Sequence, residues 1–250
     1  MIDIHTHILP HLDDGAKNTA TSVEMLGAEK VQGVKTVVCT PHYYGKRSPE
    51  KFLSQRNAAY AHLKDRIPSD IDVRLGAEVH FTGINVPDYD ELCKLAIEGT
   101  KYILIELPFV QKWTGRLLPA LADFAYDTGY TPIIAHVERY REVLKKPSIV
   151  SQLVDIGCLI QVNARAFTER KERKFAFALL SHGYVHCIGS DGHDLERRSV
   201  DLLTAQKAVE TAGYAQAWTD AQSIMERILR DEEIRVPLGT PIKKFFGSYR

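Results

Sequence analysis

Seven short apolar runs rich in β-branched residues punctuate this 250-residue chain, at 1–4, 36–39, 73–75, 102–105, 132–135, 158–162 and 185–188. Segments of helical period separate them, over 22–31, 50–66, 89–97, 117–126, 149–154, 174–180 and 199–210. Gly33, Gly99, Gly129, Gly157 and Gly183 follow several of these segments, where a helix end favours a residue that turns left-handed. Strand alternating with helix at this pace means parallel strands joined by helical crossovers. About seven such units predict a closed or nearly closed α/β barrel more than an open sheet. Neither a linker nor a low-complexity stretch divides the chain, so one barrel domain over 1–250 is expected.

Charge and cysteine content remove several classes of function. The 32 Lys and Arg balance 32 Asp and Glu and are scattered, which argues against an extended nucleic-acid surface. Cys39, Cys93, Cys158 and Cys187 form no CxxC pair and read as reduced thiols. No stretch approaches the roughly 18 consecutive apolar residues of a membrane span, and the N-terminus lacks a signal-peptide pattern. A cytoplasmic protein without membrane insertion is expected.

The informative pattern is what stands at the ends of the runs. His5 and His7 end the first; His42 follows the second after Thr40 and Pro41; Glu78 follows the third and Glu106 the fourth. His136 ends the fifth, and Asp191 and His193 follow the seventh. In a parallel barrel all strand C-termini open on one mouth, so these residues meet in space. Residues two apart on a strand leave the same face, which lets His5 and His7 hold one ion, and Asp191 and His193 repeat the spacing. Asp14, on the loop after the first run, reaches towards the same mouth. Imidazole and carboxylate suit divalent zinc, manganese and iron. Nine donors are too many for one four-coordinate ion, so two or three clustered ions are the expectation.

Each residue also has a bland reading. His62, His182 and His186 are read as ordinary core or surface residues, Asp13 as a cap or turn residue, and Asn163 as a group behind the donors. His80 is left between an outward and a substrate-facing role. The coincidence of donor types at successive strand ends favours metal over these readings. Arg139, three residues after His136, and Arg198, on the loop after His193, suit a two-pronged grip on phosphate. A cysteine phosphatase needs Arg six residues after its Cys. Here that offset carries Gly45, Gly99, Ala164 and His193, so the mechanism is excluded. GxSxG, P-loop, HExxH and dinucleotide fingerprints are absent.

The run from Met1 through His5-Thr6-His7 to Asp13-Asp14-Gly15 resembles the start of the polymerase-and-histidinol-phosphatase (PHP) superfamily. Within it the chain is similar to bacterial manganese-dependent protein-tyrosine phosphatases of capsule and exopolysaccharide loci. Cys39-Thr-Pro-His42, Gly76-Ala-Glu78, Leu104-Ile-Glu106-Leu-Pro, Ala135-His136-Val-Glu-Arg139-Tyr and Ser190-Asp191-Gly-His193 continue the series in order. The resemblance implies a distorted (β/α)7 TIM-like barrel of the PHP type holding three metals. It implies one ion on His5, His7, Glu78 and Asp191, a second on Glu78, Glu106 and His136, and a third on Asp14, His42 and His193. It maps the phosphate-binding arginines onto Arg139 and Arg198. It further implies manganese, with iron or zinc as alternatives, and a phosphotyrosine protein as substrate, in particular a bacterial tyrosine autokinase. Attack by a hydroxide shared between the metals is the implied chemistry, with His42 or His193 as acid to the leaving group. Glu106 favours this branch over relatives with His there, and so over histidinol phosphatase. The other rivals are a nuclease of the polymerase-associated branch, disfavoured by the neutral charge, and a metal-binding or kinase-docking module without turnover. His11 and His80 depart from the family pattern and bear on the mouth of the site.

Overall fold

A computed structural model describes residues 1–83, 88–109, 112–245 and 248–249. Its central strands are β1 (Ile2–Thr6), β2 (Thr36–Cys39), β3 (His42–Tyr43), β4 (Asp72–Leu75), β5 (Glu78–His80), β6 (Tyr102–Glu106), β7 (Thr131–Ile134), β8 (Leu159–Asn163) and β9 (Cys187–Gly189). All their pairings are parallel, in the order β1-β2-β4 and β3-β5-β6-β7-β8-β9. The two sheets are one ring interrupted twice. Pro41 has no N–H to donate to a ladder, so β2 ends before it and the chain resumes as β3. Gly76 and Ala77 separate β4 from β5 at the same level, while Gly76 N still donates to Cys39 O and Glu78 N to Pro41 O. The ring closes where Asp191 N donates to His5 O at 2.8 Å and His7 N to Gly192 O at 2.9 Å. With each broken pair counted as one strand, seven strands follow one another around the ring in sequence order among the described residues, as the alternation predicts.

Helices α1 (Thr19–Val31), α2 (Pro49–Leu63), α3 (Tyr89–Cys93), α4 (Leu117–Thr128), α5 (Arg141–Lys145), α6 (Ile149–Asp155), α7 (Arg173–Ser181), α8 (Leu202–Thr211) and α9 (Ala215–Leu229) accompany the strands. Local chemistry sets several ends. Asn18 caps α1 by accepting from Thr21 N, and Ser48 followed by Pro49 opens α2. The helix expected over 89–97 stops at Cys93, and α5 and α9 were not anticipated. Helix α9 follows α8 with no strand between them and so falls outside the strand-helix rhythm, although Trp218, Ala221, Met225 and Ile228 form a buried helical stripe.

Inside the ring, Ile4, Leu104, Ile133, Leu159 and Cys187 come from five different strands and pack with Met225 and Ile228. Along each inward face the residues change from apolar to polar towards the strand C-terminus. Leu104 gives way to Glu106, and Leu159 to Gln161 and Asn163. This apolar floor with a polar upper layer puts the donors at the C-terminal mouth.

Candidate metal centre

The mouth gathers all nine predicted donors. His42 and Glu78 are register partners on β3 and β5, so the two strand breaks deliver a ring and a carboxylate side by side. His136 and Asp191 follow β7 and β9 with backbone φ of 32° and 54°, a left-handed conformation disfavoured for side-chain-bearing residues. Strain of this kind persists where the surrounding structure fixes it, here at two donor positions. His5 Nε2 lies 3.2 Å from His7 Nε2, and Glu78 Oε2 lies 3.3 Å from each. Asp191 Oδ1 completes the group at 3.6 Å and 3.5 Å. His136 Nε2 reaches Glu78 Oε1 at 2.7 Å and Glu106 Oε1 at 3.9 Å. Asp14 Oδ1 sits between His42 Nε2 at 3.4 Å and His193 Nε2 at 3.3 Å.

These residues fit divalent cations. Donor atoms about 2.1 Å from a common tetrahedral centre stand about 3.4 Å from one another. His5 Nε2 and His7 Nε2 lie 3.2 Å apart, and each lies 3.3–3.6 Å from Glu78 Oε2 and from Asp191 Oδ1. Four donor sets occur within the cluster: His7, Asp14, His42 and His193; His5, Glu78 and His136; His5, His7 and Asp191; and His42, Glu78 and Glu106. Among the described residues, buried Glu78 Oε2, His136 Nδ1 and His193 Nε2 make no hydrogen bond. Buried polar atoms without partners are rare, and bound cations would give Glu78 Oε2 and His193 Nε2 the partner they lack.

The electrostatics call for positive charge. Burial penalises the Glu78 anion, but His5, His136 and His42 hold it well below the usual carboxylate range. Burial opposes the Asp191 anion too, and His5, His136 and Arg198 outweigh it. Burial disfavours charge on His42, yet Asp14 and Glu78 raise its pKa to about 11. His7 is lifted to about 9 against its own burial, chiefly by Asp13. These imidazoles take protons because acidic groups surround them, and a metal ion competes for the same lone pairs.

The surroundings reveal roles that residue type alone did not. Asp13, read as a turn residue, is the carboxylate behind His7. Its Oδ2 accepts from His7 Nδ1 at 2.8 Å and from His42 N at 2.9 Å, and Oδ1 accepts from Gly15 N. A Cβ on Gly15 would stand 2.2 Å from His7 O, which explains the glycine after the two aspartates. Gln161 was missed. Its Oε1 accepts from His136 N at 2.6 Å and lies 3.3 Å from His5 Nδ1, while Nε2 donates to Asn163, whose Nδ2 donates to Asp191 Oδ2. The available signal was its inward register with Leu159 on β8. Such outer partners orient the ligands in front of them. His80 Nδ1 lies 3.2 Å from Glu106 Oε2, so it turns towards the centre, whereas His11 is exposed in a turn outside the donor cluster. His186 is a core residue, accepting from Ile160 N.

Arg139 donates to Asp191 Oδ2 at 2.9 Å, and Arg198 to Asp191 Oδ1 at 2.8 Å. Both guanidinium groups therefore converge on the rim of the donor cluster, beside a cleft of about 230 Å³. Phe109 supports Arg139, with the guanidinium carbon 4.7 Å from the ring centroid.

Residues 1–227 match the family of capsular polysaccharide synthesis proteins CpsB/CapC. The chain belongs to that family. It is 32% identical to tyrosine-protein phosphatase YwqE of Bacillus subtilis (strain 168), over the full length of both chains. It is 29% identical to tyrosine-protein phosphatase CpsB of Streptococcus pneumoniae, over 79% of this chain and 85% of that one. Among solved structures it resembles one from a study of YwqE and CpsB, described as unique metal-dependent tyrosine phosphatases. That likeness has a TM-score of 0.81 at 29% identity, covering 98% of this chain and 100% of the other. A phosphotriesterase homology protein of Escherichia coli shares the barrel fold at TM-score 0.53 and 15% identity.

Proposed function

We propose that this member of the CpsB/CapC family is a metal-dependent phosphoric monoester hydrolase that removes phosphate from protein tyrosine, working as one barrel over residues 1–250. The observation that carries the reading is the pair of arginines meeting at Asp191 on the edge of a nine-donor cluster. Bound divalent ions supply charge neutralisation for phosphate oxygens and a lowered pKa for an attacking water. His5, His7 and Asp191, with the shared Glu78, would hold one ion; Glu106 and His136 would join Glu78 at a second; Asp14, His42 and His193 would hold a third. Manganese is our assignment, with iron and zinc compatible with the same donors.

Arg139 and Arg198 clamp the phosphate. Asp191 keeps both guanidinium groups extended in the absence of substrate, so little conformational freedom is lost when phosphate arrives. Asn163 and Gln161 fix Asp191 and His136 from behind. His42 and His193 would serve as ligands; an imidazole that gives its lone pair to an ion has no acidic proton to spare, so the departing phenolate takes its proton from solvent. Cysteine nucleophiles play no part, since burial pushes the Cys39 and Cys158 thiols up to about 12. We infer a cytoplasmic setting and, as substrate, the tyrosine-rich tail of an autokinase governing polysaccharide export. The free cysteines support that setting, and among the described residues no helix is long and apolar enough to cross a membrane.

The test is turnover of a phosphotyrosine peptide by metal-stripped protein with each divalent ion restored in turn, beside histidinol phosphate. Activity on the peptide with manganese is expected. No activity with any ion sinks the reading, and a preference for histidinol phosphate transfers it to small-molecule substrates.

A further inference from the structure

Tyr44 touches the centre but belongs to none of its donor sets. We propose that its ring is the platform on which the aryl group of the substrate stacks, making the site selective for aryl over alkyl phosphate monoesters. The proposal rests on the phosphatase reading above and names the residue that would recognise the organic part of the substrate.

The local chain geometry separates two neighbouring tyrosines. Tyr43 turns into the core and packs edge-on against Phe52, with ring centroids 5.3 Å apart. Tyr44 turns the other way and stays 51% exposed. Its ring is nevertheless held in place. It stacks on His42 at 5.0 Å with an interplanar angle of 27°, and His80 approaches it at 5.8 Å. Among the described residues its hydroxyl makes no hydrogen bond, so the exposed position is not explained by a polar contact.

The other aromatic side chains on the donors are already engaged. Phe109 stacks on His136 at 5.1 Å and also carries the Arg139 guanidinium. Tyr140 is fully buried, and its hydroxyl accepts from Leu107 N. Tyr44 alone among these three joins a ring fixed against a donor histidine with a largely exposed surface. The arginines attach to the cluster at Asp191 and Asp14, whereas Tyr44 attaches at His42. On this proposal, the organic group of a phosphate monoester held by the arginines lies on the His42 side of the cluster, where the Tyr44 ring is exposed. An aryl group gains offset stacking there, and a short alkyl group does not.

The experiment is calorimetric titration of the metal-loaded protein with phenylphosphonate and methylphosphonate, with metal content measured on every sample. Wild type, Tyr44→Phe and Tyr44→Ala are compared. Wild type and Tyr44→Phe are expected to bind the phenyl compound about 3- to 10-fold more tightly than the methyl compound. In Tyr44→Ala the ratio of the two affinities should fall close to one. An unchanged ratio in Tyr44→Ala overturns the proposal. So does parallel weakening of both ligands with loss of metal, which would make Tyr44 a shield for His42. A wild-type protein that binds neither phosphonate and hydrolyses no phosphotyrosine overturns the underlying reading and the proposal with it. Phosphotyrosine hydrolysis with an unaltered ratio removes only the role of Tyr44.

Discussion

Asp13→Asn is the substitution that best isolates the support behind a donor. The side chain is nearly isosteric, so packing is preserved, and only the hydrogen-bonding pattern and the charge change. Asp13 Oδ2 accepts from two donors at once, His7 Nδ1 and His42 N, while Oδ1 accepts from Gly15 N. An amide has one acceptor oxygen. If that oxygen stays on Gly15 N, the NH2 group faces two N–H groups. His7 then has to move its proton from Nδ1 to Nε2, which blocks the lone pair that points at Glu78 and Asp191. If the amide flips, Gly15 N faces a donor and the loop carrying Asp14 loosens. Loss of such an outer partner reduces metal affinity about 10- to 100-fold, or roughly 1.4–2.8 kcal/mol. An unpaired N–H behind His42 adds about 1–3 kcal/mol of destabilisation, because the Asp13 side chain is only 5% exposed and water cannot replace it fully. The assay is chelator competition on stripped protein, followed by turnover at low and saturating metal. Weaker binding with activity partly recovered at high metal is the expected result. Affinity within twofold of wild type would refute the tautomer argument.

Three further outcomes follow from particular contacts. Gly189→Ala places a methyl 2.6 Å from His5 Cβ and should abolish turnover at a stability cost of about 1–3 kcal/mol, whereas Gly27→Ala in α1 meets nothing within 4 Å and should be neutral or mildly stabilising; equal activity of the two variants contradicts this. Burial lowers the His186 pKa to about 4, so between about pH 6.5 and 4 the unfolded chain holds a proton that the folded protein does not. Stability should therefore fall as pH drops through that window, by about 3 kcal/mol, and His186→Gln should remove this slope in denaturant titrations. Restoring metal to about 100 times its dissociation constant should add about 2.7 kcal/mol, seen in calorimetry as a Tm rise of roughly 5–10 °C, and an unchanged Tm would count against binding to the folded state.

What the sequence determined by itself was the parallel ring of strands and which donor-type residues stand at the strand ends. Those depend on local periodicity and on residue type at a strand end, both of which survive without knowledge of contacts. His5, His42, Glu78, Glu106, His136 and Asp191 were legible because each closes or follows a β-branched run. The tertiary structure decided which donors share a space. That depends on ring closure and register, which join residues as distant as His5 and Gln161, 156 positions apart. The carboxylate of Asp13 behind His7, the path from Gln161 through Asn163 to Asp191, and the opposite facing of Tyr43 and Tyr44 come from the same source. A turn aspartate and a ligand-orienting aspartate are one residue type at one position. Only the fold shows which side chain lies across from it, and so which task it performs.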